Sequence, residues 1–139
     1  MNLFETLSQL KPITAASGNV PTYLMGAFRR KSISFYNGLT DENTIVYWFQ
    51  SKSFTIDLRL KSVTDTPIVE RQAWVGYTHW DAQNASLSWE LSSNYQNHTQ
   101  WPEPATLHKI GNCILEFSPS NAYVEDWRQQ ASTGLFLGL

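Results

Sequence analysis

One stretch limits the possible folds more than any other: Phe54-Thr55-Ile56-Asp57-Leu58-Arg59-Leu60, where apolar and polar residues alternate without a break. A period of two puts one apolar and one polar face on a β-strand. Just before it, Ile45-Val46-Tyr47-Trp48-Phe49-Gln50 is nearly all β-branched or aromatic, and Ser51-Lys52-Ser53 makes the turn between them. Asp57 and Arg59 share the polar face of the second strand. If that face meets water they are surface residues; if it lines a barrel they form a site.

The rest of the chain repeats the pattern. Strand-like runs lie near 26–36, 44–50, 54–60, 73–78, 86–91, 108–110, 112–117, 123–127 and 135–139, with a hairpin signal at Asn37-Gly38. The longest loop is the polar stretch 92–106, which holds Pro102 and Pro104. Residues 2–11 carry the only helical period, with Leu3, Phe4, Leu7 and Leu10 on one stripe, Asn2 and Glu5 placed for a capping box, and Pro12 as terminator. About eight short strands at this spacing predict an all-β, antiparallel, lipocalin- or calycin-like barrel, because closure removes exposed strand edges. The expectation is one domain over 1–139, a short helix (2–11) across one barrel end, and barrel strands from 24 to 139. The apolar end Gly134-Leu135-Phe136-Leu137-Gly138-Leu139 must be covered, and a sheet left incomplete there would finish across a homodimer.

Composition excludes several function classes. Only 16% of the 139 residues are charged while 14% are aromatic, including six Trp, a balance that suits pleated internal surface. A net charge of −2 argues against nucleic acid, and Arg29-Arg30-Lys31 is too short to supply a basic stripe. No run is long enough to span a membrane, and no signal-peptide pattern opens the chain. A cytoplasmic protein is the simplest expectation. Cys113, the only cysteine, cannot form an internal disulfide. Asn84 and Asn97 sit in glycosylation-type triplets that arise readily by chance. His79, His98 and His108 lack metal-ligand spacing, and no phosphate loop or nucleophile elbow is present, so neither metal nor cofactor is expected.

Short patterns resemble an uncharacterised bacterial family of lipocalin-like β-barrels. They are Phe28-Arg29-Arg30, Val46-Tyr47-Trp48-Phe49-Gln50, Asp57-Leu58-Arg59, Ser88-Trp89-Glu90 and Tyr123-Val124-Glu125-Asp126-Trp127. A fungal secretory-pathway protein built from two such barrels is similar at a greater distance. Phe28 stands where the family has Trp, Phe49 stands where it has Leu, and longer members carry one or two more final strands. The resemblance implies a barrel fold and no particular reaction.

Three constellations could carry chemistry. In the first, Asp57 and Arg59 with Trp48 and Gln50 orient a polar group of an apolar ligand, an Arg fork binding carboxylate. The simplest hairpin register, Gln50 opposite Phe54 and Trp48 opposite Ile56, instead leaves Trp48 and Gln50 with the apolar set. A one-residue slip reverses every assignment. In the second, Glu116 lies within the apolar run Ile114-Leu115-Glu116-Phe117. Facing inward it meets Arg59 or Arg30, or serves as an acid/base; facing outward with Ile114 it meets solvent. The third is the aromatic set Trp48, Trp74, Tyr77, Trp80, Trp89 and Trp127, either core or pocket wall.

The leading expectation is non-catalytic binding of a small apolar or aromatic molecule by Arg29, Trp48, Gln50, Asp57, Arg59, Trp89 and Glu116. The alternatives are a cofactor-free isomerase, cyclase or hydratase using Glu116, Asp57 or His79, and a structural or dimerisation module.

Overall fold

The computed structural model describes residues 2–9, 18–62, 64–94 and 104–132. The strands are β1 (Gly26–Phe35), β2 (Thr40–Asp41), β3 (Ile45–Gln50), β4 (Phe54–Leu60), β5 (Gln72–Asp81), β6 (Ser86–Asn94), β7 (Ala105–Ile110), β8 (Cys113–Phe117) and β9 (Tyr123–Ala131). Consecutive long strands pair antiparallel, and β9 returns to β1, with pairs from Ala27↔Ala131 to Phe35↔Tyr123. The eight long strands therefore close into a barrel within one subunit, and the two-residue β2 adds to the edge of β1. The expected completion of an open sheet across a dimer is not needed for closure. Its proposed edge at 135–139 lies outside the described residues, as does 95–103 in the long polar loop.

Local chemistry sets the turns. Asn37-Gly38 reverses β1 toward β2, with Gly38 at φ +83° and its N–H donating to the Phe35 carbonyl. Gly111 (φ +61°) and Asn112 join β7 to β8, so Asn112 sits in a two-residue turn rather than in the strand. Between β3 and β4 the loop is Lys52-Ser53 alone. The Ser51 N–H donates to the Phe54 carbonyl and the Phe54 N–H donates to Ser51 Oγ.

That turn corrects the simplest register by one residue. Gln50 lies opposite Thr55, Trp48 opposite Asp57 and Val46 opposite Arg59. Strand partners share a face, so Thr55, Asp57 and Arg59 point into the barrel with Val46, Trp48 and Gln50. The apolar set Phe54, Ile56 and Leu58 lies outside, half-buried among β3 and β5 neighbours.

One barrel end is plugged by the segment preceding β1. Val20 and Leu24 are fully buried there, Leu24 within the 3-10 turn Thr22–Leu24. The Val20 N–H donates to the Lys52 carbonyl, Asn19 Nδ2 to the Trp80 carbonyl, and Gln129 Nε2 to the Met25 carbonyl. Above the plug, Phe28 stacks on Trp48 at 4.7 Å and Trp127 meets Trp48 edge-on at 5.5 Å, among Val46, Leu87, Leu107 and Ile114. A capping box opens α1 (Leu3–Gln9): the Glu5 N–H donates to Asn2 Oδ1 and the Asn2 N–H to Glu5 Oε2. The side chains of the stripe Leu3, Phe4, Leu7 and Leu10 lie outside the described residues.

The barrel seam depends on Gly26. It takes φ +118°, and a Cβ there would run into the Ala131 carbonyl of β9. Gly26→Ala is expected to cost about 2–4 kcal/mol through backbone strain plus overpacking. Gly38→Ala, with a similar φ but open space around it, should cost only about 1 kcal/mol. Urea unfolding of both variants checks this, and equal losses would contradict the seam argument.

Candidate functional site

The inward positions of four strands bring five charged side chains together inside the barrel. β4 contributes Asp57 and Arg59, β1 contributes Arg30, β8 contributes Glu116 and β9 contributes Glu125. Asp57, Glu116, Glu125 and Arg30 are all at most 7% exposed. Arg30 donates from Nη1 to Glu125 Oε1 at 2.7 Å and from Nη2 to Asp41 Oδ2 at 3.4 Å. Arg59 grips Asp57 side-on, Nε to Oδ1 at 2.9 Å and Nη2 to Oδ2 at 3.4 Å. Glu116 accepts from Trp127 Nε1 at 2.9 Å and from the Tyr123 hydroxyl at 3.4 Å.

Two guanidiniums thus face three buried carboxylates. Burial pushes the Asp57 carboxyl above its usual range, against the opposing pull of Arg59. Burial likewise raises Glu125, opposed by Arg30. Glu116 rises furthest, first from burial and then from the charge of Glu125, its direct cross-strand partner. Two adjacent carboxyls in a dry site cannot both ionise cheaply. Glu125 has the Arg30 guanidinium at 2.7 Å, so of the two it is Glu116 that burial and its neighbour's charge push more strongly toward the neutral form.

Each sequence candidate has a definite place. Asp57 and Glu116 are inward and buried, and Arg59 is inward with its side chain 30% exposed. The outward alternative for Ile114 and Glu116 does not hold: they are buried inside while Phe117 is exposed. Gln50 is wholly buried near the plugged end and fully engaged. It accepts from Trp48 Nε1, and its Nε2 donates to Thr78 Oγ1 and the Ser51 and Phe54 carbonyls. Trp48 is core. Arg29 requires correction: it is exposed on the outer wall, its guanidinium 5.8 Å from the Tyr47 ring, because its neighbour Arg30 takes the inward position. Tyr77 is also outside, against Phe54. Trp74, opposite Asp57, and Trp89, packed on the core, meet edge-on at 5.8 Å and are half-buried.

Glu125 escaped the sequence reading as a site member, and Arg30 entered it only as a possible partner of Glu116. Glu125 was visible in Tyr123-Val124-Glu125-Asp126-Trp127, where a carboxylate stands between two aromatic residues at period two. Arg30 had no local signal separating it from Arg29.

Elsewhere the chemistry is quiet. Cys113 Sγ lies 3.1 Å from Asp126 Oδ1, and burial pushes its thiol up, away from nucleophilic character. His79 pairs with Glu90 at 3.4 Å on the exposed outer wall. No cluster of metal-ligating residues occurs among the described residues. Among them, no helix is long and apolar enough to cross a membrane.

No protein-family model matches this chain, and no curated protein matches it. Among solved structures it is similar to a lipocalin-like protein from Bacteroides uniformis, with a TM-score of 0.59 and 14% identity over 77% of this chain and 98% of that one. At that identity the likeness establishes a lipocalin-like barrel fold.

Two experiments test the electrostatics. Arg30→Met strips Glu125 of its counter-charge and should cost about 3–5 kcal/mol, whereas Arg29→Ala should stay within about 0.5 kcal/mol; denaturant unfolding separates them. For Glu116, folding raises proton affinity, so stability declines as pH climbs from the ordinary value of 4.5 through the raised one. Glu116→Gln mimics the protonated acid and removes that decline. Its stability relative to the parent should improve steadily as pH rises from 4 to 8. A difference independent of pH would refute the rise assigned to Glu116.

Proposed function

We propose that the barrel binds a small apolar or aromatic molecule without transforming it, and that the chain works as one barrel unit in the cytoplasm. The observation that carries this reading is the inward polar face of β4. Arg59 points into the barrel yet keeps its side chain 30% exposed, and inward Trp74 and Trp89 are likewise half-buried. Solvent therefore reaches inward side chains on the β4–β6 side, while Phe28, Trp48 and Trp127 are sealed below. The lipocalin-like fold supports the reading, since eight-stranded barrels of this kind have room for one small ligand. In this reading Trp74 and Trp89 form the walls, and Asp57, Arg59 and Glu116 set the polarity of the inner end.

One observation favours a second reading, an acid/base enzyme: Glu116 lies directly across from Glu125, only Glu125 has a guanidinium on it, and two carboxyls in such unequal surroundings are the kind of pair that proton transfer uses. Against it, Glu116 is only 6% exposed and is hydrogen-bonded by Tyr123 and Trp127.

Titration with N-phenyl-1-naphthylamine, a neutral fluorescent probe, tests the binding reading. Saturable enhancement of the probe with quenching of Trp emission is expected, weakened about tenfold in Trp89→Ala through lost wall area. Enhancement that does not saturate, or that Trp89→Ala leaves unchanged, would count against an interior site.

A further inference from the structure

Arg59 reads from sequence as a fork for a ligand carboxylate, but both inner guanidiniums are already paired with carboxylates of the protein. Arg30 is held by Glu125 and Asp41, and Arg59 lies side-on against Asp57. With Glu125 and Asp57 already paired to Arg30 and Arg59, a ligand carboxylate would add negative charge that nothing in this poorly solvated space offsets. Meanwhile two buried groups lack any hydrogen-bond partner among the described residues, Trp89 Nε1 and Arg30 Nε. Both are N–H donors, so what the interior lacks is an acceptor. Trp89 is inward on β6 and edge-on to Trp74; its ring is half-buried while its N–H is itself shielded from water.

We propose that the interior selects an uncharged ligand: an aromatic or apolar molecule whose carbonyl or hydroxyl oxygen accepts from Trp89 Nε1, with carboxylates disfavoured. The selection rests on the binding reading above and names the class of molecule that site takes. The tryptophan N–H supplies the positive selection. A ligand oxygen satisfies a donor left unpaired in the free protein, so forming that bond displaces no existing protein partner. The ion pairs supply the negative selection. An incoming carboxylate must share Arg59 with Asp57, which sets two negative charges against one guanidinium in a poorly solvated space.

Calorimetric titration of the intact protein with three probes of one ring size tests this: 1-naphthamide, 1-naphthoate and naphthalene. At neutral pH the amide should bind about tenfold or more tighter than the carboxylate, and about fivefold tighter than naphthalene. Trp89→Phe keeps the ring but not the donor. It should abolish the advantage of the amide over naphthalene while the discrimination against naphthoate persists. Naphthoate binding as tightly as the amide overturns the inference, as does an amide preference that survives Trp89→Phe. If naphthalene binds and the amide gains nothing, the pocket stands and its selectivity does not. If none of the three binds, the binding reading itself falls and this inference with it.

Discussion

Everything inside this barrel is arranged around a cost: five ionisable side chains project into a space that eight strands have largely closed to water. A lone carboxylate in such a place is strongly unfavourable. The structure meets the cost in three ways. Arg30 neutralises Glu125 across the β1–β9 seam, Arg59 neutralises Asp57 two residues away on the same strand, and burial beside Glu125 pushes Glu116 toward its neutral form. The seam therefore does two jobs. Its ladder closes the barrel, and the same closure brings Arg30 beside Glu125, 95 residues later in the chain. A buried ion pair rarely adds net stability over well-packed apolar residues, but losing one partner is expensive. The cluster therefore fixes which side chains can occupy the barrel interior more than it strengthens the fold.

The two barrel ends differ because of what precedes β1. Val20 and Leu24 drive into the bottom, and their backbone and neighbours are tied to Lys52, Trp80 and Gln129. The aromatic stack above the plug leaves no polar demand unmet: Trp48 Nε1 donates to both Gln50 and Thr55. Toward the other end the inward side chains turn polar and regain partial exposure, from Trp74 and Trp89 to Arg59. An interior that is apolar at the floor and ionic above offers a ligand one face for rings and another for a polar atom.

The strands were largely legible because β-branched and aromatic runs broken by Gly, Asn and Pro have few alternative structures. Closure was not legible. It depends on Gly26 meeting Ala131, a contact across 105 residues that no local pattern encodes. Register failed by one residue at Ser51-Lys52-Ser53. No glycine marks the turn, and Ser51 Oγ, by accepting from the Phe54 N–H, shortens the loop to two residues. That slip also decided the site. Hydropathy assigns Ile56 and Leu58 to the core, yet on this barrel wall they pack among outer neighbours while Thr55, Asp57 and Arg59 line the inside. Likewise Arg29 and Arg30 are indistinguishable by composition. Only the pairing Phe28↔Trp48 settles which of them points inward.

The inverted β4 strand also explains the aromatic excess. A barrel whose interior is partly given over to charge has less room for aliphatic packing, so its core must come from few, large side chains. Phe28 and Trp127, both in ring contact with Trp48, supply the centre of that core. Their indole nitrogens are useful rather than awkward here: Trp48 binds the Gln50–Thr55 pair and Trp127 caps Glu116. Two of the three inward indoles with a described N–H environment thus tie the apolar layer to the polar one. Trp89 is the exception: among the described residues nothing receives its N–H. A donor left unpaired beside a ring at half-exposure is costly in the free protein, and an acceptor arriving from solution is the simplest way for that cost to be recovered.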